Sequence, residues 1–425
     1  MNGHAPEAPP AADRQVGEPI WTGGTTAVQV RSARPLHGVR LHLVDVSAGE
    51  GAARRAHAEP LAFTAALPLA TPVLPAGPGQ PPIIARRAWA QGMAAPAVAP
   101  GYGAVRMAFV HHTENPNGYA AGEVPAMLRA IYVFHRYVKG WHDIGYNFVV
   151  DLYGRIFEAR AGGIDEPVAG AQAGGYNLVS TGVAVLGTFS SVPISRAARR
   201  ALEALLAWKL SLHGVPAQGR VTVRVNPAGA FYSRFPANAR VSLPRIAGHR
   251  DADTTECPGN VLYGELPAIR AEVRRLAPNP TRATLELATP TLAGVPATPE
   301  PAGESGTGNV PPGGLQALSG LLELLDGTPV ADAPVLIQAR AVSRKGEVVT
   351  ERTIAEATTD SAGRWELLAT PIGQAGRRRM WLRALCPGGP GFGAAVSVPL
   401  RVPANISLAA ATADPPAQPA AAPAR

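Results

Sequence analysis

Two short stretches of the chain carry side chains of the kind that bind transition metals. In VRMAFVHHTENP, His111 and His112 end an apolar run, and in AGHRDADTTECPGN, His249 and Cys257 lie eight residues apart. Imidazole and thiolate together suit zinc, which accepts both nitrogen and sulfur ligands. Three protein ligands would leave the fourth tetrahedral position open for water, as in catalytic zinc sites. A buried free cysteine beside an unrelated histidine explains the second stretch equally well, so both readings stay open at this point.

The adjacent histidines end the apolar segment 104–112, which is typical of a buried β-strand. Successive side chains of a strand face opposite sides, so only one of His111 and His112 can point at a shared metal. The other is left for packing or for contact with a substrate. Because side chains leave the core where a strand ends, functional groups can converge at this place.

The composition is that of a globular protein with several folded units. A chain of 425 residues exceeds the size of one ordinary domain, so we expect roughly two or three units. Hydrophobic residues make up 46% and charged residues 16%, whereas 46 glycines and 43 prolines indicate long loops and linkers. The chain can therefore bury a sizeable core, and disorder should be confined to particular stretches.

The charge and the cysteine count exclude several classes of protein. The net charge of +8 favours an anionic partner such as a cell-wall polymer, although the arginines that carry it are scattered. No nucleic-acid-binding module accompanies this charge, so we expect no nucleic-acid partner. Two cysteines, Cys257 and Cys386, are too few for a disulfide-stapled secreted scaffold.

The sequence predicts neither a signal peptide nor a membrane span. The first residues lack a basic region followed by an apolar run. The most apolar early stretch, 61–74, is interrupted by Pro68 and Pro72 and is shorter than the roughly 20 residues that a membrane span needs. We interpret it as strand and linker.

Changes in composition and periodicity divide the chain into six segments. Alternating strand and helix patterns predict an α/β unit, and short strands separated by turn signals predict a β-sandwich near the C-terminus. Segments rich in proline and alanine predict linkers and a tail. The predicted segments are a small β-rich unit at 18–67, a proline-rich linker at 68–82, the α/β unit at 83–278, a disordered linker at 279–313, the β-sandwich at 314–404 and a disordered tail at 405–425.

Several elements of the α/β unit follow from apolar periodicity. Helical spacing predicts helices at 124–138, 195–212 and about 260–276. The continuous apolar run at 182–189 predicts a strand that is buried on both faces. Between these elements, 217–243 predicts a hairpin inserted before the loop that carries His249 and Cys257.

From about 83 to 276, slightly under half of the chain, the sequence resembles the superfamily of peptidoglycan recognition proteins and type 2 N-acetylmuramoyl-L-alanine amidases. Each matching string is weak alone, but their order and number together are highly specific. The strings are RRAW at 86–89, VHHT at 110–113, GWHDIGYNFVV at 140–150, GRIFEAR at 154–160, AGGYNLVSTGVAVLGTF at 173–189 and GHRDADTTECPG at 248–259. The resemblance implies a central mixed β-sheet flanked by helices, with zinc in a groove on one face and peptidoglycan as the partner.

The resemblance also implies roles for individual residues. By matching positions, the metal ligands are His111, His249 and Cys257, and Tyr146 matches the family tyrosine near the catalytic water. A phenol there would stabilise the charge that develops on the amide oxygen, and an aromatic core residue is the alternative. Some relatives have lysine where this chain has Thr255, which we expect to support catalysis through hydrogen bonds. The implied reaction is hydrolysis of the amide between N-acetylmuramic acid and L-alanine by metal-activated water.

Three further residues are expected to contact the substrate, namely His112, Gln172 and Asn177. Gln172 departs from the family pattern, because many relatives have histidine in this string. A neutral amide donates and accepts hydrogen bonds but cannot become cationic, so contacts to the peptide stem or sugar should differ here. Asn177 either binds substrate or braces its loop. Asp143 and Asp251 are expected to cap loops or support ligands rather than to act as bases.

The C-terminal sandwich resembles immunoglobulin-like or carboxypeptidase-regulatory modules, which occur on exported proteins. We expect it to be non-catalytic, with wall binding and a passive spacer role both open. The chain is accordingly expected to be secreted or associated with the cell wall. The alternative to an enzyme is a non-catalytic, peptidoglycan-binding protein of the cell envelope.

Overall fold

The computed structural model describes residues 79–90, 96–277, 280–284, 286–288, 316–342, 348–371, 379–403 and 406–410. The predicted N-terminal unit at 18–67 and most of the linker at 68–82 lie outside the described residues. None of the helices in the described part of the chain has the length and apolar character needed to cross a bilayer.

The first described unit is an α/β unit built on a six-stranded mixed sheet. Its elements are β1 (Ile83–Ile84), α1 (Arg86–Trp89), β2 (Met107–His112), α2 (Val124–Val133), β3 (Phe148–Val150), β4 (Ile156–Glu158), β5 (Ser180–Val185), α3 (Arg196–Leu212), β6 (Arg220–Arg224), β7 (Arg240–Pro244), β8 (Ile246–Gly248) and α4 (Asn260–Leu276). The strand order is β1-β4-β3-β5-β2-β8. Only β3 and β4 pair antiparallel, and the other four pairings are parallel. The expected central mixed sheet flanked by helices is confirmed.

The central strands are apolar because both of their faces are covered. Every residue of β2 and β5 is buried, as is typical of parallel strands between helical layers. Ala108 and Val110 of β2 join the hydrophobic cluster formed with α3 and α4. Met107 and Phe109 join the cluster on the opposite face, with β6 and β7. The alternation along β2 therefore continues to the two histidines and sends them to opposite sides.

The predicted helices are confirmed, with small differences at their ends. The helix predicted at 195–212 is α3, which begins after Ser195, whose Oγ accepts a hydrogen bond from the Ala198 N–H at 3.0 Å. The helix predicted at 124–138 is α-helical to Val133 and ends in a π-helical turn, Phe134–Val138. The helix expected at about 260–276 coincides with α4.

The strand predictions hold in outline. The strand expected at 104–112 begins only at Met107, and the apolar run at 182–189 is the end of β5 followed by a loop. The predicted hairpin is present, since β6 and β7 form a separate two-stranded antiparallel sheet.

The second unit is a sandwich of two antiparallel sheets. Its strands are β9 (Thr281–Ala283), β10 (Glu286–Ala288), β11 (Gln316–Leu324), β12 (Pro334–Val342), β13 (Val348–Thr358), β14 (Arg364–Pro371), β15 (Arg379–Cys386), β16 (Ala395–Val396), β17 (Leu400–Pro403) and β18 (Ile406–Ala410). One sheet has the order β10-β11-β14-β18 with β9 also on β11, and the other has β13-β12-β15-β16 with β17 also on β15. Apolar side chains such as Leu318, Ile337, Trp365 and Leu382 fill the space between them.

Two boundaries of the predicted segments are wrong. Strands β9 and β10 lie inside the range 279–313 that was expected to be a disordered linker, and both pair with β11. Strand β18 lies inside the expected tail, 405–425, and pairs with β14. These strands are only three to five residues long, and they pair through backbone groups that every residue except proline supplies in full.

The sandwich packs directly on the α/β unit. Leu385 and Val396 are buried in the same hydrophobic cluster as the α3 residues Leu205 and Leu206. At the edge of this contact, the Trp381 ring meets Tyr102 edge-on, with centroids 5.1 Å apart.

Candidate metal centre and adjoining groove

The three predicted metal ligands converge at one edge of the central sheet. His111 ends β2, His249 follows β8, and Cys257 lies just before α4. Because β2 and β8 are neighbouring parallel strands, their carboxyl ends lie side by side. The ligand atoms of the three side chains all lie within 4.8 Å of one another.

The geometry of this cluster fits a tetrahedral zinc ion. The His111 Nδ1 lies 3.7 Å from the Cys257 Sγ, and bond lengths typical of zinc predict a separation of about 3.6 Å. The rings of His111 and His249 have centroids 4.5 Å apart. His111 and Cys257 are buried. A donor set of one thiolate and two imidazoles suits zinc better than it suits harder cations such as Mg²⁺ or Ca²⁺.

The two histidines differ in their protonation. Burial lowers the pKa of His111 well below its ordinary value, and the neighbouring charges of His249 and His112 lower it further. His111 is therefore neutral, as a metal ligand must be. Burial also lowers the pKa of His249, but hydrogen bonds to Asp253 and Cys257 outweigh this effect and raise the pKa to about 10. A metal that binds His249 must displace a proton.

Asp253 is a site residue that the sequence analysis missed. Its Oδ2 lies 3.0 Å from the His249 Nε2 and also accepts the Gly174 N–H at 2.7 Å. A carboxylate in this position orients the imidazole and leaves the other ring nitrogen, Nδ1, for a metal. The available signal was the spacing of four residues between His249 and Asp253, which becomes informative only once the turn that joins them is known.

The two aspartates singled out from the sequence hold loops in place. Asp143 forms an ion pair with Arg86 at 2.7 Å and accepts the Ala161 N–H at 3.0 Å. Asp251 accepts a hydrogen bond from the Tyr263 hydroxyl at 2.6 Å. Both carboxylates are thus engaged with neighbouring loops and helices rather than with the three convergent ligands.

Tyr146 and Thr255 both lie beside the cluster. The Tyr146 ring is buried, with its centroid 5.3 Å from that of His111 and 5.6 Å from that of His135. The Thr255 Oγ1 accepts the Cys257 N–H at 3.2 Å. Thr255 therefore stabilises the turn that presents the thiol, and its own hydroxyl proton remains available as a donor.

A groove of about 640 Å³ adjoins the cluster, which is within the usual range for ligand sites. His249, Asp253 and Thr255 line it next to the cluster. Charged, amide and aromatic side chains line other parts of the groove. They are Lys139, Trp141, His142, Asp143, Arg160, Gln172, Asn177, Asn226 and Tyr232, together with small residues such as those at 169–171 and 173–175.

Gln172 and Asn177 line this groove and also brace its wall. The Gln172 Nε2 donates to the Ser180 Oγ at 3.1 Å. The Asn177 Oδ1 accepts the backbone N–H groups of Gln172 and Ala173, at 2.9 and 3.0 Å. Both roles considered for Asn177, bracing the loop and facing the substrate, are compatible with this placement.

His112 occupies a different position from the other expected substrate contacts. It lies on the opposite face of β2, where its Nδ1 accepts the Phe189 N–H at 3.3 Å and its Nε2 lies 3.3 Å from the Glu114 Oε1. It is buried and is not among the described residues that line the groove. Its backbone N–H donates to the Cys257 Sγ at 3.4 Å, and its expected contact with the substrate stays a prediction.

Comparison with known proteins places this region in a family. Residues 101–260 match the Amidase_2 family, described as N-acetylmuramoyl-L-alanine amidase. Peptidoglycan-recognition protein SC2 of Drosophila melanogaster is 28% identical over 159 residues, which are 37% of this chain and 71% of that protein. The N-acetylmuramoyl-L-alanine amidase of Homo sapiens is 27% identical over 176 residues, 41% of this chain but only 26% of the human protein.

Among solved structures, wild-type Drosophila PGRP-LB is 25% identical and matches with a TM-score of 0.34, covering 44% of this chain and 92% of that one. The endolysin LysCS from Clostridium intestinale is 22% identical with a TM-score of 0.33, covering 46% and 97%. Residues 101–260 thus match the N-acetylmuramoyl-L-alanine amidase family, and the chain is similar to peptidoglycan-recognition proteins and N-acetylmuramoyl-L-alanine amidases.

Proposed function

We propose that this chain is a zinc-dependent N-acetylmuramoyl-L-alanine amidase, which hydrolyses the amide between N-acetylmuramic acid and L-alanine in bacterial peptidoglycan. The observation that carries the proposal is the convergence of His111, His249 and Cys257 beside the groove. A binding module needs no such donor set, so its completeness favours an enzyme over the non-catalytic alternative. Because peptidoglycan is the substrate, the site of action is the cell wall or its surroundings.

The metal, when bound, would polarise the scissile carbonyl and generate a water nucleophile at neutral pH. His111 and Cys257 supply donors from buried positions, where little water competes for them. Asp253 engages the His249 ring at Nε2, which leaves Nδ1 as the atom that would bind the metal. The protein would thereby hold the metal with three ligands, which would leave a fourth position for water or substrate.

Tyr146 and Thr255 are assigned to the two substrate groups whose charge changes during the reaction, the carbonyl oxygen and the leaving amine. As the amide carbonyl is attacked, negative charge develops on its oxygen, and we assign the Tyr146 hydroxyl as the hydrogen-bond donor to it. Thr255 accepts a hydrogen bond from the Cys257 N–H, which leaves its O–H free to donate to the substrate or to a water that relays a proton to the leaving amine.

The groove supplies the contacts that hold the substrate. Asn177 uses its carbonyl oxygen on the backbone of its own loop, and we assign its amide nitrogen to the substrate. Arg160 and Lys139 give the groove wall positive charge, which suits the carboxylates of a peptide stem. The names of the relatives support this substrate class, since they are peptidoglycan-recognition proteins and N-acetylmuramoyl-L-alanine amidases.

The proposal is tested by digestion of purified peptidoglycan with the full chain, followed by mass analysis of the products. We expect glycan strands freed of peptide, with activity lost in a chelator and in Cys257→Ala. The matched control is Cys386→Ala, because Cys386 is also a buried free cysteine but lies in the sandwich. Release of disaccharide fragments would identify a glycosidase instead, and binding without any cleavage would favour the non-catalytic alternative.

A further inference from the structure

Four charged side chains are buried together where the sandwich meets the α/β unit. Asp165 and Glu166 lie in the loop between β4 and β5, and Arg340 and Arg383 lie on β12 and β15. Each of these four residues is at most 5% exposed. Arg340 pairs with Asp165 at 3.1 Å and also with Glu166, and Arg383 pairs with Asp165 and lies 3.4 Å from Glu166.

The cluster is closed by groups from both units. The Arg383 Nε donates to the Gln338 Oε1 at 2.9 Å. From α3, the Nζ of the buried Lys209 donates to the carbonyl oxygens of Ile164 and Glu166, each at 2.8 Å. Buried charges are tolerated only when they are paired and hydrogen-bonded in good geometry. The middle of the loop is therefore held at a fixed place by side chains of the sandwich and of α3.

The same loop forms part of the groove wall on both sides of this anchor. Arg160 and Ala161 precede the buried acids and line the groove, and the residues at 169–175 follow them and line it as well. The loop contains no strand beyond the isolated bridge between Val168 and Tyr102. Hydrogen bonds tie its two flanks to the α/β unit, among them those from the Ala161 N–H to Asp143 and from the Gly174 N–H to Asp253. Between these flanks, Asp165 and Glu166 are paired with arginines of the sandwich, so the ion cluster is the anchor that fixes the middle of the loop from the sandwich side.

A glycine in the loop shows how closely the sandwich approaches. Gly163 has a φ of +109°, and a Cβ built on it would lie 3.3 Å from the Arg340 Nη1. A side chain at this position would meet the arginine and also strain the backbone. The loop thus follows a path that accommodates the guanidinium.

We infer that the sandwich is a structural part of the substrate site, in which Arg340 and Arg383 are positioning residues that hold the groove wall through Asp165 and Glu166. This inference rests on the proposed function, because it concerns the same groove. It differs from both roles expected for the sandwich, wall binding and passive spacing, because those roles leave substrate affinity at the groove unchanged when the interface is altered.

The test uses the full chain with a soluble muropeptide. In Arg340→Gln, the wall loses one anchor, and we expect KM to rise by roughly tenfold to a hundredfold, with kcat and zinc content within about twofold of the original protein. Arg340→Lys keeps the charge and should recover part of the loss. Arg364→Gln is the matched control, since Arg364 is an exposed arginine of the same sandwich.

Removing Arg340 leaves the two buried carboxylates to share Arg383 and could prevent folding, so a second variant is needed. Arg340→Met combined with Glu166→Gln removes one charge of each sign and should fold while still releasing the loop. Unchanged KM in this folded variant and in Arg340→Gln would overturn the inference. A loss of zinc or a fall in kcat alone would overturn it as well, because the effect would then pass through the metal centre.

Calorimetric binding of the same muropeptide separates the inference from the proposed function. If the original chain binds the fragment but does not cleave it, the proposed function fails. The inference is then decided by affinity, which should fall by the same factor in the Arg340 variants. Equal affinity in the original chain and the folded variants would contradict the inference whether or not the chain is an enzyme.

Discussion

At the scale of single residues, the metal centre depends on a carboxylate that binds no metal itself. Asp253 fixes the His249 ring through Nε2 and is in turn held by the Gly174 N–H. We expect Asp253→Asn to lower zinc affinity by about 10- to 100-fold, as loss of such partners does at other zinc sites. Competition with a chromophoric chelator measures this affinity. Asp251→Asn is the control, and equal affinity in the Asp253 variant would show that the ring needs no such support.

Tyr146 offers a second test at this scale. If its hydroxyl stabilises the developing oxyanion, Tyr146→Phe should lower kcat by roughly 10²- to 10³-fold while zinc content stays the same. Steady-state kinetics on a soluble muropeptide distinguishes this from an effect on KM. Tyr137→Phe, at an exposed tyrosine, should leave both constants unchanged. A Tyr146 variant with unaltered kcat would make the residue an aromatic packing group.

The residues that could be predicted from the sequence are those whose role follows from local pattern. Strand alternation requires that His111 and His112 diverge, and the motif order identifies His111 as the ligand. Asp253 could not be found in this way, because several acids lie near His249 and only the folded turn decides which of them reaches the ring. The substrate contact of His112 stays a prediction, because strand alternation shows that this side chain faces away from the metal ligands but not what it contacts there.

At the scale of elements, the scaffold of the site rests on helices that pack on the sheet. Helix α3 starts at a cap in which the Ser195 Oγ accepts the Ala198 N–H and donates to the Leu152 carbonyl. Ser195→Ala removes both bonds, and we expect the free energy of unfolding to fall by about 1 kcal/mol. Denaturant titration measures this change. Ser191→Ala, at an exposed serine in the preceding loop, should have no such effect, and an equally stable Ser195 variant would refute the cap.

Helices with strong apolar periodicity could be predicted from the sequence, whereas short strands that depend on pairing with a distant strand could not. Helices α3 and α4 follow directly from apolar spacing, because one face of each must be buried against the sheet. Strands β9, β10 and β18 have no comparable signal, since they are only three to five residues long. Their positions depend on the strands β11 and β14 that they join, and these lie elsewhere in the sequence.

At the scale of the whole molecule, the α/β unit and the sandwich, which are separate in the sequence, share a buried interface. Arg340 and Asp165 are 175 residues apart in the chain and form an ion pair in the buried cluster. No local pattern links such residues, and each of them alone is typical of a solvated surface. The contact between the units therefore could not be predicted, although the existence of both units could.

Lys209 gives this contact a measurable dependence on pH. Burial lowers the pKa of Lys209 from 10.5 to about 7, although Glu166 raises it, and Arg340 lowers it further. Between pH 7 and 10.5 the unfolded chain holds a proton on this lysine that the folded protein has lost. The free energy of unfolding therefore rises with pH in this window, and this contribution from Lys209 is lost as the pH falls towards 7.

We expect the free energy of unfolding of the original protein, relative to Lys209→Met, to increase from pH 7 to pH 10 by up to about 1 kcal/mol per pH unit. The comparison with the variant cancels groups that titrate elsewhere. Denaturant titrations at several pH values provide the measurement, and Lys139→Met, which removes a lysine that lines the groove, serves as the control. A difference that stays constant with pH would mean that Lys209 keeps its charge within the cluster, and its role would then be to complete the ion pairs that join the two units.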